Sequence, residues 1–319
     1  MDLLDIQGLT THFFTRAGVI KAVDNLNLRL QKSRVLGLVG ESGCGKTMTA
    51  LSILNLVPYP GKIVSGKILF EGRDLLALSS GEMRAVRGAK ISMIFQEPMT
   101  ALNPVFTVGN QIAEVLTAHQ DLTKKSAMEE AVRLLKSVGI PSPEKRVDEY
   151  PHQLSGGMRQ RVMIAMAIAC KPSLILADEP TTALDVTIQA HILELLGTIQ
   201  AEMGMAMILV THDLGLIAER AHEVAVMYAG RIVEQADTRE LFANPQHPYT
   251  RGLMASIPRP GEAGKTRLTT IPGTVPRLSD LPKGCTFFPR CGIKTAQCEV
   301  EPDLVELKPG HLVRCWEAR

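Results

Sequence analysis

Leu26, Leu28 and Leu30 alternate with Asn27 and Arg29, the two-residue period of a strand with one face in the core and one in water. The chain is therefore expected to start as an antiparallel sheet. After a turn at Lys32-Ser33, Val35 to Val39 is apolar apart from Gly37, the pattern of a strand buried on both faces. It runs straight into Gly40-Glu41-Ser42-Gly43-Cys44-Gly45-Lys46-Thr47, and the apolar positions beyond repeat as a helix to Leu56, with Pro58 marking its end. From about Pro98 to Leu154 the spacing is helical, broken at Asn103-Pro104 and at Pro141-Ser142-Pro143, which predicts a helical insertion. Alternation then resumes: a helix from Gly156 to Cys170, a strand from Leu174 to Ala177, a helix from about Val186 to Met203, a strand from Met205 to Val210 and a further helix. Such alternation predicts an α/β fold whose core sheet is mostly parallel, with right-handed crossovers. Around Asn244-Pro245-Gln246-His247-Pro248-Tyr249 the pattern stops, and Pro258 to Pro282 is rich in Pro, Gly and Thr. A boundary near residue 250 leaves 251–319 as an extension too short to build a strong core alone.

Composition narrows the function classes. With 319 residues, 45% hydrophobic and 21% charged, the chain can form one large domain plus an appendage. Its 35 basic and 33 acidic side chains leave a formal charge of +2, which is no footprint for a phosphate backbone, so nucleic acid is not expected as a partner. The start, Met1-Asp2-Leu3-Leu4-Asp5, is acidic where a secretory leader is basic, and no apolar run of roughly 18 residues could span a bilayer. Any work at a membrane would need other subunits that cross it. Four of the six cysteines (Cys285, Cys291, Cys298, Cys315) fall in the last 35 residues. Without an export signal, that crowding favours metal or cluster ligation over disulfides.

Gly40 to Thr47 fits the Gly-x-x-x-x-Gly-Lys-Ser/Thr phosphate loop, in which backbone N–H groups wrap phosphates at the positive end of the following helix. Glu41, Ser42, Gly43, Cys44 and Gly45 supply the wrap, Lys46 would neutralise the β and γ phosphates, and Thr47 would ligate Mg²⁺. Leu174 to Ala177 ends in Asp178-Glu179-Pro180, which places two carboxylates at the carboxyl end of a strand, where ligands bind in parallel sheets. Asp178 suits the Mg²⁺ shell and Glu179 the base that activates water. Thr211-His212-Asp213 follows the next strand, and from there His212 can reach a γ phosphate. In Leu154-Ser155-Gly156-Gly157-Met158-Arg159-Gln160, Ser155 caps a helix whose first turn lacks side chains at Gly156 and Gly157, an anion site with no phosphate loop of its own.

That last segment resembles the signature of the ABC ATPases, P-loop NTPases in which it closes over ATP bound to a partner subunit. The resemblance implies an ABC nucleotide-binding domain over 1–250, with an N-terminal antiparallel subdomain and a helical signature subdomain at about 98–160, and two subunits that sandwich two ATP molecules. It further assigns Ser155, Gly156, Gly157 and Gln160 to the partner's nucleotide, Gln96 in Phe95-Gln96-Glu97-Pro98 to the Q-loop and the Mg²⁺ shell, Ala183-Leu184-Asp185 to the D-loop and His212 to the switch histidine. An aromatic for adenine is implied near the N-terminus, with Phe13 and Phe14 both candidates.

Within the class, Glu97-Pro98-Met99-Thr100-Ala101-Leu102-Asn103-Pro104 and His247-Pro248-Tyr249-Thr250-Arg251-Gly252-Leu253 resemble the bacterial oligopeptide and dipeptide importers. The resemblance implies a peripheral ATPase on the cytoplasmic face of the bacterial inner membrane, working with two permease subunits, a second, paralogous ATPase and an extracytoplasmic solute-binding protein. In members that keep four C-terminal cysteines it implies a [4Fe-4S] cluster; structural zinc and unligated thiols are the alternatives. Peptides are the expected cargo, with nickel chelates, haem or another solute as the alternative within the same class. A soluble ABC ATPase without transport is the reading outside it.

Overall fold

The computed structural model describes residues 2–16, 18–182, 184–256 and 270–318. In chain order the elements are β1 (Asp2–Thr15), β2 (Gly18–Gln31), β3 (Val35–Val39), α1 (Lys46–Ile53), β4 (Gly61–Phe70), β5 (Arg73–Asp74), α2 (Ser80–Val86), β6 (Ile91–Ile94) and α3 (Pro98–Ala101). There follow α4 (Val108–His119), α5 (Lys124–Ser137), α6 (Pro143–Arg146), α7 (Gly156–Ile168), β7 (Leu174–Asp178), α8 (Val186–Met203) and β8 (Ala206–Thr211). The chain continues through α9 (Leu214–Arg220), β9 (Glu223–Tyr228), β10 (Arg231–Asp237), α10 (Thr238–Ala243), α11 (Pro248–Ala255), β11 (Val305–Lys308) and β12 (His311–Val313). No helix among the described residues is long and apolar enough to cross a membrane.

Two compact units result. The first comprises Met1–Gln31, Val35–Leu76 and Leu209–Arg319. It holds an antiparallel sheet in the order β2-β1-β4-β5, as the leucine alternation of β2 anticipates, and a second sheet running β11-β12-β10-β9-β3. In that second sheet β3 and β9 are parallel, whereas β9-β10, β10-β12 and β12-β11 are antiparallel, so the sheet is mixed. All five residues of β3 are buried, which is what its near-continuous apolar run requires.

The C-terminal strands reach this sheet through buried polar bonds. Glu234 of β10, fully buried, accepts from the backbone N–H groups of Gln246 (2.6 Å) and His247 (2.9 Å) and pairs with His311 Nε2 at 2.8 Å. A carboxylate stripped of water is tolerated only when so partnered.

The second unit comprises Lys32–Arg34 and Ala77–Ile208. Here β6 and β7 pair in parallel, and the expected helical insertion is realised as α3 to α6. Three of its helices, α4, α5 and α7, start at side-chain caps: Thr107 accepts from Asn110 N, Thr123 from Ser126 N and Ser155 from Met158 N, each satisfying an orphan donor of the first turn.

Candidate functional site

In the first unit β3 delivers the Gly40–Thr47 loop to the start of α1, and the loop is threaded against backbone. Gly45, at φ +110°, is the left-handed residue before α1, and a Cβ there would stand 2.2 Å from the carbonyl oxygen of Ala22. A Cβ on Gly40 would stand 2.2 Å from that of Met227. Only glycine fits either place. The first turn of α1 has no acidic side chain, so its N–H groups keep their positive end.

Lys46 is 5% exposed and its Nζ donates to the carbonyls of Gly40 (2.8 Å) and Glu41 (3.1 Å). Ser42 and Gly43 are exposed and Thr47 is half-buried. Cys44 is fully buried, and burial pushes its thiol above the ordinary range while the Lys46 ammonium opposes the shift. At the end of β8 in the same unit Thr211 is buried and His212 exposed, ahead of Asp213, which caps α9 by accepting from Leu216 N at 3.1 Å. Phe13 and Phe14, as neighbours on β1, point to opposite faces. Phe14 is 47% exposed, whereas the Phe13 ring lies against Gly61, where an added Cβ would meet its Cε1 at 2.9 Å.

In the second unit β7 ends at Asp178, 2% exposed, and the chain turns at Glu179, whose φ of 45° is left-handed for a residue with a side chain. Gln96 Nε2, just beyond β6, donates to Glu179 Oε2 at 3.0 Å, and Thr182 Oγ1 donates to the same oxygen at 2.9 Å. The parallel pairing of β6 with β7 thus brings Gln96 to Glu179 across 83 positions of sequence. Asp185 caps α8, accepting from Ile188 N at 2.9 Å, while Ala183 of the expected D-loop lies outside the described residues.

Ser155 caps α7 with Gly156 exposed and Gly157 half-exposed behind it, and no acidic side chain sits in that first turn. Gln160 differs from the other signature residues: it is 1% exposed, facing the interior with its Nε2 unpartnered. Beyond Gln96, Met99, Val105 and Phe106 are exposed at 54%, 70% and 51%, an apolar cluster on the segment 99–106.

Cys285, Cys291, Cys298 and Cys315 line one cavity, walled also by Phe287, Ile293 and Trp316. Burial pushes the Cys285 thiol to about 11 and raises Cys291 and Cys315 as well. Among the described residues, however, no group of three or more His, Cys, Asp or Glu side chains is arranged to hold a metal ion. The expected ligand set shares a cavity but does not meet at a point.

Sequence reasoning missed the neighbours of the phosphate loop. Arg290, beside Cys291, and Tyr249 both bind Glu41, from 249 and 208 positions away, and no local pattern signals either contact.

Residues 23–182 match the family described as "ABC transporter", and residues 233–298 match "Oligopeptide/dipeptide transporter, C-terminal region". The chain is 52% identical over 318 residues (99% of this chain, 95% of that protein) to the probable peptide ABC transporter ATP-binding protein y4tR of Sinorhizobium fredii. It is 52% identical to the dipeptide transport ATP-binding protein DppD of Haemophilus influenzae over 305 residues (95% and 92%) and 49% identical to DppD of Escherichia coli over 316 (99% and 96%). Among solved structures, the dimeric ATP-binding cassette MJ0796 with ADP and phosphate superposes with a TM-score of 0.67 at 26% identity, over 74% of this chain and 99% of that one. The cbiO1 subunit of the cbiONQ transporter of Clostridium perfringens gives 0.63 at 26%, over 76% and 91%.

Proposed function

The chain belongs to the ATP-binding subunits of ABC transporters, and from that premise we propose that it is the ATP-hydrolysing subunit that energises import of di- or oligopeptides through a membrane permease. The observation that carries the peptide reading is that likeness to dipeptide-transport ATPases runs the whole length, through the C-terminal region as well as the nucleotide-binding one (1–250).

Lys46 neutralises the β and γ phosphates, and the backbone of Gly40 to Thr47 wraps them. Thr47, Gln96 and Asp178 are the residues that would hold Mg²⁺. The metal, when bound, offsets charge that develops on the transferred phosphoryl group. Glu179, oriented by Gln96 and Thr182, accepts a proton from the attacking water. His212 and, from a second ATPase, the counterpart of the exposed Ser155-Gly156-Gly157 turn stabilise the phosphoryl oxygens. Asp185 fixes the start of α8 in the D-loop. Gln160 belongs to the same signature, although its side chain is buried in the single chain. Either Phe13 or Phe14, on opposite faces of β1, stacks on adenine.

The exposed Met99, Val105 and Phe106 fit contact with two permease subunits, and the ATPase is peripheral on the cytoplasmic face of the inner membrane. A paralogous ATPase completes the dimer and a solute-binding protein presents the peptide. The four cysteines, ranged around one cavity, would be the thiolate ligands of a [4Fe-4S] cluster, with structural zinc the alternative. Iron and sulfide analysis of anaerobically purified chain tests that assignment, and stoichiometric zinc would reverse it.

The function itself is tested by mild-detergent purification from native membranes followed by identification of what stays bound. Two permease subunits and a second ATPase are expected. Recovery of soluble nucleic-acid or ribosomal partners alone would replace transport by the soluble ABC reading.

A further inference from the structure

Glu41, the second residue of the phosphate loop, is held from two directions. Lys46 Nζ donates to its carbonyl at 3.1 Å. From the other side its backbone N–H donates to Tyr249 Oη at 2.8 Å, and its carboxylate takes a bidentate pair from Arg290, Nη1 to Oε2 at 2.6 Å and Nη2 to Oε1 at 3.0 Å. Arg290 is itself fixed. Its side chain is 3% exposed, its Nε donates to the carbonyl of Pro272 at 3.0 Å, and its guanidinium lies 5.9 Å from the ring centroids of both Tyr228 and Phe287. Tyr249 is fully buried against the same two rings, at 4.7 Å from Tyr228 and 5.5 Å from Phe287. The turn that bears Arg290 is closed at both ends by cysteines, with Phe288 N donating to the carbonyl of Cys285 at 2.9 Å and Cys291 following directly.

We infer that Arg290 and Tyr249 are positioning residues for nucleotide binding, through which the C-terminal region of the chain sets the shape of its own phosphate loop. A lysine that turns to a phosphate gives up part of its hold on the Glu41 carbonyl. The Arg290 and Tyr249 contacts do not involve Lys46, so they keep Glu41 in place while that exchange occurs. A loop fixed in its binding shape loses less entropy when ATP arrives. Parallel, charge-assisted bonds to a rigid guanidinium give directional control that a point charge lacks.

The inference rests on the reading of Gly40–Thr47 as the nucleotide loop, so the experiment includes Lys46→Ala as a separate measure of that reading. Equilibrium binding of a fluorescent ATP analogue and steady-state hydrolysis are measured on the full chain in its assembled transporter, for Arg290→Gln, Arg290→Lys, Glu41→Gln, Tyr249→Phe and the double variant Arg290→Gln/Glu41→Gln. Expected is an ATP affinity about tenfold weaker in Arg290→Gln and in Glu41→Gln, a KM raised in step and kcat within twofold of the parent. The double variant is expected to be no weaker than either single one, because both remove one pair. Arg290→Lys should recover part of the loss and Tyr249→Phe should show a smaller one. If Arg290→Gln is poorly folded, Glu41→Gln, at a part-buried loop position, carries the same test. Unchanged ATP affinity in folded Glu41→Gln and Arg290→Lys, with Lys46→Ala deficient, overturns the inference alone; unchanged affinity in Lys46→Ala as well overturns the nucleotide reading and the inference with it.

Discussion

Replacing Glu179 by Gln changes one atom and one charge, and the surroundings of that side chain say how the two effects separate. A single oxygen, Oε2, accepts from both Gln96 Nε2 and Thr182 Oγ1, and the amide oxygen of a glutamine can accept the same two bonds. Each bond falls from charge-assisted to neutral, a loss of about 1 kcal/mol apiece, and partial exposure of the pair reduces the sum to about 1 kcal/mol. The melting temperature should therefore drop by about 2–4 °C at most. Hydrolysis should fall about 10²- to 10⁴-fold, because an amide cannot take the proton of the attacking water. Affinity for ATP should be retained, since Glu179 is not among the phosphate-binding residues. Phosphate release by the assembled transporter, fluorescent-nucleotide binding and a thermal melt measure the three quantities. Hydrolysis within tenfold of the parent would remove Glu179 from the role of base, and a collapse of the melt would show that its charge supports the fold instead.

Three other changes probe separate parts of the molecule. Gly45→Ala puts a Cβ 2.2 Å from the Ala22 carbonyl oxygen at φ +110°, so it should abolish ATP binding and lower stability by about 2 kcal/mol or more, read by denaturant unfolding. Ser155→Ala removes the cap on Met158 N, costing about 1 kcal/mol of stability, yet it should depress hydrolysis far more in the assembled ATPase pair than in the isolated chain. His247 accepts from Tyr249 N through Nδ1 and is held by burial at a pKa of about 3, below its ordinary 6.5. Below pH 6.5 the unfolded chain therefore takes up a proton that the folded chain refuses. Stability from this group is complete above pH 6.5 and is lost at about 1.4 kcal/mol per unit as pH falls toward 3. His247→Asn, which can still cap α11, should flatten the stability profile between pH 7 and 5; an unchanged slope would assign the acid sensitivity elsewhere.

The nucleotide-binding elements were legible because their signals are local. β3 is an unbroken apolar run, the phosphate loop is eight contiguous residues, and Ser155 and Asp185 sit directly at the helix starts they cap. β1 was not legible as alternation because irregular register with β2 and β4 places buried residues side by side, Leu3 with Leu4 and Leu9 with Thr10 and Thr11. β4 is largely exposed, so its pattern carries little contrast. Gln160 is placed differently from its neighbours in the motif. One helical turn past the exposed Ser155 and Gly156, it falls on the buried face of α7, as Met163 and Ile164 do. The contacts of Glu41 with Tyr249 and Arg290 depend on packing among distant segments, and no window of sequence contains both partners.

The buried Glu234 has a consequence for how the protein is made. Two of its partners, the N–H groups of Gln246 and His247, leave the ribosome soon after it, but the third, His311, follows 77 positions later. β12, which joins β10 through Glu234↔Val313 and Gln235↔Leu312, is equally late. Until those residues have emerged the growing polypeptide thus carries an open sheet edge and an incompletely partnered carboxylate in what will become its interior. A chain cut short before His311 would keep both defects permanently, which marks it for chaperones and proteases even though the Gly40–Thr47 loop and the Ser155 turn have already been made.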